Sequence, residues 1–494
     1  MFNRNLPAED PATTYHTWKV PFSRHDKGSR SVYRAEMTGV TLFDASYEHV
    51  TRLTCAELAP LEQIFSLLVH IASTRNNRRS AGQGYIYKRK SDYPYGAVAP
   101  VRYIWQQGLE EHVLLLLTPR VTCQVVDHVI NIAVTDQRVK VEIARDLFVF
   151  ELTGPQTGQA LVDALTLIEE AEQLRHVLRA RPGLVPPGTA LGFKARDPRL
   201  AFMEKSSDIE VNPHVLVHTL TNLEAITEHH PVSLNPQTTG VNVSTATLNS
   251  KKNSGDITWL QELFLASSIE LNLARVITDG WLLVGPRDYA FHFWHALIHR
   301  GHARVIDWLQ RNSIRQSRDL TASFPCHAID TCAYWGYAVQ ALVDRAGTWA
   351  AKPPSKRVNY AELGIESPFM IDWSKLTSRG WIFREQAQQD NVIALVTARG
   401  QLFRANPGGL IPVRVTGAKT RWGCEIYAKS QLIGFVTTEQ QVDLHTGHVT
   451  GLGFVSADHL LTMTSESECQ FDIRNIDSPQ HVQPAQLNVC HVLV

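Results

Sequence analysis

The sequence predicts an α+β fold divided into several units. Apolar runs typical of strands alternate with helical periods through the first 205 residues, whereas residues 374–494 alternate β-type runs with glycines. Between them, the chain becomes poor in aromatic residues and then rich in tryptophan. The predicted units are a mixed N-terminal domain at 1–205, a flexible linker or insertion at 206–256, a Trp-rich module at 257–373 and a β-rich C-terminal unit at 374–494.

Three strand-to-helix passages are expected in the N-terminal domain. Residues 31–56 favour β-structure with breaks at Gly39 and Asp44, and residues 58–73 repeat apolar positions with a helical period. The apolar run at 112–119 predicts a strand followed by a helix, and the pattern returns with a strand at 147–155 and a helix at 157–180. This alternation indicates a mixed α/β architecture.

The Trp-rich module contains six of the 11 tryptophans within residues 257–360. Its segment GWLLVGPRDYAFHFWHALIHRG, residues 280–301, predicts a strand, a turn and a helix. The last unit contains LIPVRV and LIGFVTT, whose β-branched and aromatic residues between glycines are typical of strands.

Composition excludes several classes of protein. The 494 residues carry 48 Lys+Arg against 48 Asp+Glu, so any nucleic-acid site must be local and not a uniformly basic surface. The seven cysteines include no Cys-x-x-Cys pair, which argues against a disulfide framework or zinc ribbon and favours a reducing compartment. No apolar run approaches the ~18 residues needed to span a bilayer, so no membrane partner is expected.

Basic residues cluster with tyrosines in two stretches, 19–34 and 75–102, and a basic pair follows Pro353 and Pro354. Guanidinium groups and aromatic faces bind phosphates and unstacked bases, although a solvated surface with structural tyrosines is the alternative. The candidate RNA-binding residues are Lys19, Arg24, Lys27, Arg30, Tyr33, Arg34, Arg75, Arg78, Arg79, Lys88, Arg89, Lys90, Arg102, Lys356 and Arg357.

No catalytic or metal-binding residue is predicted. His292, His295, His299 and His302 have helical spacing, but the Glu of a His-Glu-x-x-His helix is missing and no nearby residue completes a ligand set, which leaves core or RNA-stacking roles. Asp44, Asp197 and Asp330 lie in contexts typical of turns and caps.

Several motifs follow one another along the chain. The N-terminal motifs are KGSRSVYRA (27–35), LFDASY (42–47), YKRKSDYPYGAVAPVRYIW (87–105), FELTGP (150–155) and PPGTALGFKARDPRL (186–200). The later motifs are GWLLVGPRDYAFHFWHALIHRG (280–301), FPCHAIDT (324–331), AKPPSKRVNYAELGIESPF (351–369) and LIGFVTTEQQVDLHTGHVTGLGF (432–454). In this order, the motifs resemble one family: the largest protein subunit of eukaryotic nuclear ribonuclease P and ribonuclease MRP, which contains a POPLD module.

The resemblance implies a non-catalytic scaffold that binds a structured catalytic RNA and smaller protein subunits in the nucleus and nucleolus. It also implies processing of precursor tRNA or precursor rRNA, no cofactor in the protein itself, and magnesium on the partner RNA. The N-terminal part of this family resembles the glycine-cleavage T-protein in fold. Two alternatives stay open: a folate-dependent aminomethyltransferase-like enzyme and the scaffold of a different ribonucleoprotein.

Overall fold

The computed structural model contains both helices and strands, which confirms the α+β class. It describes residues 29–71, 80–89, 91, 95–107, 111–165, 178–179, 188–199, 268–274, 280–318, 324–325, 328–376, 393–396, 402–405, 409–428, 430–438, 441–442, 449–458 and 471–489. Within these residues, no helix is long and apolar enough to cross a membrane.

The first sheet has the strand order β12-β1-β8-β11-β10-β9, and its pairs are antiparallel except for β1 with β12. Its strands are β1 (Thr41–Asp44), β8 (Leu147–Thr153), β9 (Ala190–Arg196), β10 (Ser268–Ala274), β11 (Gly280–Pro286) and β12 (Arg304–Val305). Strands from both sides of the predicted linker at 206–256 therefore share one sheet. The limits of the four predicted units stay predictions, but the sheet joins segments that were assigned to different units on the basis of composition.

The second sheet has the order β3-β4-β5-β6-β2-β7 and is antiparallel throughout. Its strands are β2 (His49–Cys55), β3 (Val69–His70), β4 (Ala81–Tyr87), β5 (Ala97–Gln107), β6 (His112–Thr118) and β7 (Lys140–Ile143). Both faces are buried, because Leu114 and Leu116 of β6 pack with one set of residues and Leu115 and Leu117 with another. A continuous apolar run is the sequence expected for such a strand.

Four layers result. Helices α2 (Leu58–Leu68) and α3 (Cys123–Ala133) cover the outer face of the second sheet, whose inner face packs on the first sheet. Helices α4 (Thr157–Ala164) and α5 (Ala290–His299) cover the far face of the first sheet. Gly154 has φ +114° in the turn between β8 and α4, and a Cβ there would lie 2.5 Å from the Gly39 carbonyl oxygen, so only glycine suits this turn.

Two further helices lie at the edge of the layers: α1 (Ser29–Thr38) and α6 (Trp308–Arg318). The prediction of β-structure from residue 31 is wrong over α1. Val32 and Glu36 are spaced by one helical turn and are both buried, whereas Arg30 and Arg34 are exposed on the other side. This amphipathic spacing outweighs the β-branched and aromatic residues of the segment.

The C-terminal strands close into a ring, because β15 pairs with both β21 and β19. The ring order is β15-β21-β20-β16-β17-β19, formed by β15 (Leu410–Thr416), β16 (Glu425–Ala428), β17 (Gln431–Val436), β19 (Val449–Ser456), β20 (Phe471–Asn475) and β21 (Ser478–Val489). The short β18 (Gln441–Val442) pairs with the first residues of β19. Strands β13 (Ile393–Val396) and β14 (Leu402–Ala405) form a separate pair. Closure leaves no free edge in the ring.

Helix α7 (Cys332–Ala351) joins the Trp-rich segment to this barrel. Its buried Tyr334 and Ala338 pack in one cluster with Trp373, Phe435 and Phe454. The Trp373 indole N–H donates to the Tyr334 hydroxyl over 3.0 Å, so the buried polar groups satisfy each other.

A buried ion-pair network crosses the space between the two sheets. Glu151 of β8 is 3% exposed and accepts hydrogen bonds from Arg311 Nη2 at 2.6 Å, Arg315 Nη2 at 2.9 Å and Arg102 Nη1 at 3.2 Å. Glu48 accepts from Arg102 and, over 3.3 Å, from Arg311 Nη2. The network therefore ties β5 of one sheet and helix α6 to the central strand of the other.

The charges in this network do not cancel, since three guanidinium groups face two carboxylates. Burial would raise the pKa of the Glu151 carboxyl, but the positive charges of Arg311, Arg315 and Arg102 outweigh it and hold that pKa well below its ordinary value. Burial also raises the pKa of the neighbouring Tyr47 phenol, which keeps it neutral. Glu151 is therefore ionised, and the network contains one more guanidinium group than carboxyl groups.

Replacing Glu151 with glutamine should destabilise the fold by about 3–5 kcal/mol, because the buried Arg102 and Arg311 and the partly exposed Arg315 then have Glu48 as the one carboxylate of the network. The free energy of unfolding in urea measures this loss. Glu142→Gln is the matched control: Glu142 is a half-exposed residue paired with Lys140 and Arg52, and its loss should cost less than about 1 kcal/mol. Equal effects of the two variants would contradict the structural role of the network.

The same interaction predicts a pH dependence. A carboxyl whose pKa is lowered by folding stabilises the protein above its ordinary pKa, about 4.5, and this contribution is lost as the pH falls through the folded-state value. The unfolding free energy of the unaltered protein should thus fall more steeply below pH 4.5 than that of Glu151→Gln. Parallel pH profiles would show that Glu151 is not the titrating group.

Candidate nucleic-acid interface

Helices α1 and α6 form a basic surface at the edge of the layered unit. They contact each other, and Val32 and Ile314 bury their inner sides in the core between the sheets. Arg30 and Arg34, one turn apart on α1, face solvent. The Arg315 side chain of α6 is 30% exposed, so it reaches the surface while it remains bonded to Glu151.

No exposed carboxylate on these two helices neutralises the surface. Helix α6 has no acidic residue, and Glu36 of α1 is 2% exposed and accepts from the Thr153 hydroxyl over 3.0 Å. The positive charge is therefore available to a polyanion. The arrangement can bind phosphate groups through forked guanidinium donors.

Arg311 and Arg315 were missed by the sequence reasoning, which considered the basic tyrosine-rich stretches. A signal was present: residues 308–318 read WLQRNSIRQSR, with arginines one helical turn apart and no acid. Arg311 is 5% exposed, lies 4.5 Å from the Phe43 ring centroid and belongs to the buried network. Arg311 therefore lies below the surface and fixes α6 through its bonds to Glu151, whereas Arg315 is part of the surface itself.

Arg102 requires a correction. It was predicted as an RNA contact, but it is 8% exposed and pairs with Glu48 and Glu151 between the sheets. On β5, Arg102 shares the inner face with Ile104, while Val101 and Tyr103 pack towards the helices. The alternation of the strand therefore turns this basic side chain inwards.

Lys88 and Arg89 are exposed where β4 ends, and the Lys88 N–H donates to the Gly96 carbonyl over 3.1 Å to close the hairpin with β5. Tyr95 in the same turn is 41% exposed, and Tyr33 on α1 is half-buried. The remaining candidates of the two stretches lie outside the described residues: Lys19, Arg24, Lys27, Arg75, Arg78, Arg79 and Lys90.

Lys356 and Arg357 follow the C-terminus of α7 and are both exposed, but their surroundings differ. The Arg357 guanidinium donates to the carbonyls of Lys352, at 2.8 Å, and Ala350, and lies over the Trp349 ring at 5.4 Å from its centroid. Arg357 thus caps the helix by bonding its last carbonyls. Lys356 extends into solvent beside it.

The predicted turn residues have varied surroundings. Asp44 is exposed and accepts from the Ser46 N–H over 2.9 Å, Asp197 is fully buried and accepts from Arg199, and Asp330 is half-buried in the turn before α7. In the described part of the chain, no three His, Cys, Asp or Glu residues are placed to hold a metal ion. The absence of a metal site and of a catalytic group stays a prediction.

Comparison with known proteins identifies relatives for part of the chain. Residues 280–373 match the POPLD (NUC188) domain, which spans β11 to the segment that packs against the barrel. The chain is 23% identical over 236 residues to the human (Homo sapiens) ribonucleases P/MRP protein subunit POP1. That alignment covers 43% of this chain and 23% of the human protein, so it spans less than a quarter of the length of this relative.

Two solved structures are also similar. The glycine cleavage system aminomethyltransferase T from Bartonella henselae matches with a TM-score of 0.49 and 11% identity, over 96% of this chain and 91% of that one. The heterotetrameric sarcosine oxidase from Corynebacterium sp. U-96 matches with a TM-score of 0.26 and 10% identity, over 56% of this chain and 91% of that one. The POPLD match and the human relative confirm the resemblance drawn from the sequence: the chain is similar to the POP1 protein subunit of ribonucleases P and MRP.

Proposed function

We propose that this chain is an RNA-binding scaffold subunit of a ribonuclease P or MRP ribonucleoprotein. The arginine surface of α1 and α6, which has no exposed carboxylate, supports RNA binding most directly. Helix α6 also lies within the POPLD match. In this proposal the partner RNA, with its own magnesium ions, cleaves precursor tRNA or precursor rRNA. The protein contributes no catalytic group or cofactor, and the complex is nuclear and nucleolar.

Smaller protein subunits of the same particle are the proposed protein partners. The outer side of α7 supports this, because Trp335, Val339 and Val343 recur at one-turn spacing and are each 50–57% exposed. Two glycines on the same helix, Gly336 and Gly347, have open space where a Cβ would lie. Nothing within the described chain requires their small size, which suits close approach by a partner backbone.

Loss of the exposed arginines of α1 should weaken RNA binding. Arg30→Gln with Arg34→Gln removes two phosphate partners, so the slope of log affinity against log salt should fall by about 0.7 per lost contact for single strands and about 0.9 for duplex. Lys419→Gln with Arg421→Gln, two exposed basic residues on the barrel, is the matched control and should leave the slope unchanged. Identical slopes for both double variants would exclude α1 from the RNA interface.

Substitution of the two basic residues after α7 should have different effects on RNA affinity and on stability. Lys356→Gln should lower RNA affinity without changing the unfolding free energy, whereas Arg357→Gln should cost about 0.5–2 kcal/mol because the last carbonyls of α7 lose their donor. Urea unfolding and RNA titration of each variant give the two readouts. A stable Arg357→Gln protein would refute the capping role, and normal RNA affinity of Lys356→Gln would exclude Lys356 as an RNA contact.

The scaffold proposal is tested by the RNA that the tagged protein retains and by what the two components cleave. Nuclease-free protein stripped of RNA should leave precursor tRNA and precursor rRNA intact in magnesium, because phosphodiester cleavage needs held metal ions or a positioned acid and base. The complex with its RNA should cleave one of them. Site-specific cleavage by the stripped protein, or recovery of a folate in place of RNA, would overturn the proposal.

A further inference from the structure

Helix α5 carries three rings in a column on the side opposite its core contacts. Phe291, His295 and His299 are four residues apart, which places successive side chains about 6 Å apart along the helix axis. The ring centroids of Phe291 and His295 are 6.3 Å apart and those of His295 and His299 are 4.1 Å apart, with interplanar angles of 33° and 39°. The His295 and His299 rings thus stack with a tilt, and the Phe291 ring continues the column at a larger spacing.

Packing within the described chain does not account for the exposure of Phe291. Its side chain is 71% exposed, more than any other large hydrophobic residue that the structure describes, while Phe293, Ala296 and Leu297 bury the opposite side of the helix. His299 is exposed and His295 half-buried. Burial lowers the pKa of His295, and the nearby His299 lowers it further, so protonation of the His295 ring is disfavoured.

The surroundings of the stack favour an anionic partner. Residues 289–306 contain four histidines and two arginines but no Asp or Glu. Arg287 and Asp288 are both exposed just before the helix, and Arg199, which is paired with the fully buried Asp197, lies near His292. Within α5, Phe291 is the one exposed hydrophobic side chain, so the surface lacks the broad apolar patch that a docked protein helix would need.

We propose that Phe291, His295 and His299 form a stacking platform for unpaired bases of a single-stranded RNA segment. Planar rings stack with any base, and the nearby arginines contact the phosphates that flank it. The choice of RNA as ligand rests on the proposed function, whereas the platform itself rests on the ring geometry. Residues on α1 and α6 have no part in it, so the two sites can be tested separately.

The test uses the full chain and an unstructured oligouridine that contains one 2-aminopurine, together with the same oligomer with an abasic site at that position. Phe291→Leu with His295→Leu should abolish 2-aminopurine quenching and weaken binding of the base-containing oligomer about tenfold. Binding of the abasic oligomer should not change. Phe291→Tyr keeps the ring and should retain quenching, and Ile132→Ala, at an exposed hydrophobic residue on α3, controls for surface substitution.

Unchanged quenching and affinity in the double leucine variant would refute the platform, and so would equal weakening for the two oligomers. If the double variant is unstable, loss of quenching in Phe291→Leu alone, at an unchanged melting temperature, is the decisive measurement. Normal RNA binding with loss of a co-purifying protein would assign the stack to a protein contact and also overturn the inference. Failure of the unaltered chain to bind any RNA would instead refute the proposed function.

Discussion

The ion-pair network around Glu151 is the interaction on which the layered unit depends. Two sheets that pack face to face ordinarily bury apolar residues between them, yet here Glu151 and Arg102 face each other across that interface. A buried carboxylate is tolerated because its guanidinium partners satisfy it from both sides. The network therefore fixes how the sheets face each other and holds α6 at their edge, since an altered register would leave buried charges unpaired.

The network also connects the fold to the candidate interface. Its arginines exceed its carboxylates by one, and the member nearest solvent, Arg315, lies on α6, which contacts the helix that carries Arg30 and Arg34. A charge buried with incomplete neutralisation is stabilised by a nearby anion. Under the proposed function, an RNA phosphate at this surface would supply that anion, and the ion pairs that hold α6 in place would then also favour RNA binding.

Sequence reasoning predicted strongly periodic elements well. The strand–helix passages at β6 with α3, β8 with α4 and β11 with α5 follow from apolar runs and 3.6-residue periods, which are local properties. It missed α1 because Val32 and Tyr33 favour strands, and only packing against Ile314, far along the chain, shows which side is buried. The POPLD segment was predicted from the resemblance of its motifs to a known family, and hydrophobic periodicity alone would not have identified it.

The candidate site was less predictable, because charge counts along the chain do not reveal which charges meet. Arg102 belonged to a basic stretch and is buried, whereas Arg315 stood outside every predicted cluster and reaches the surface. Whether an arginine is buried or reaches the surface depends on partners that are far away in the sequence. Glu151 lies 49 residues from Arg102 and 160 from Arg311.

The position of the POPLD match in the sheet follows from the same long-range pairing. Strand β11 pairs along its full length with β8, β12 pairs with β1, and α5 covers the far side of the first sheet. The strands of this segment therefore complete a sheet begun by the N-terminal residues, and the apolar side chains of β11 and α5 are buried against that sheet. Since α6 provides Arg311 and Arg315 while β8 provides their carboxylate and α1 provides Arg30 and Arg34, neither segment alone contains the basic surface. Under the proposed function, the RNA contacts would therefore form only after both segments have folded together.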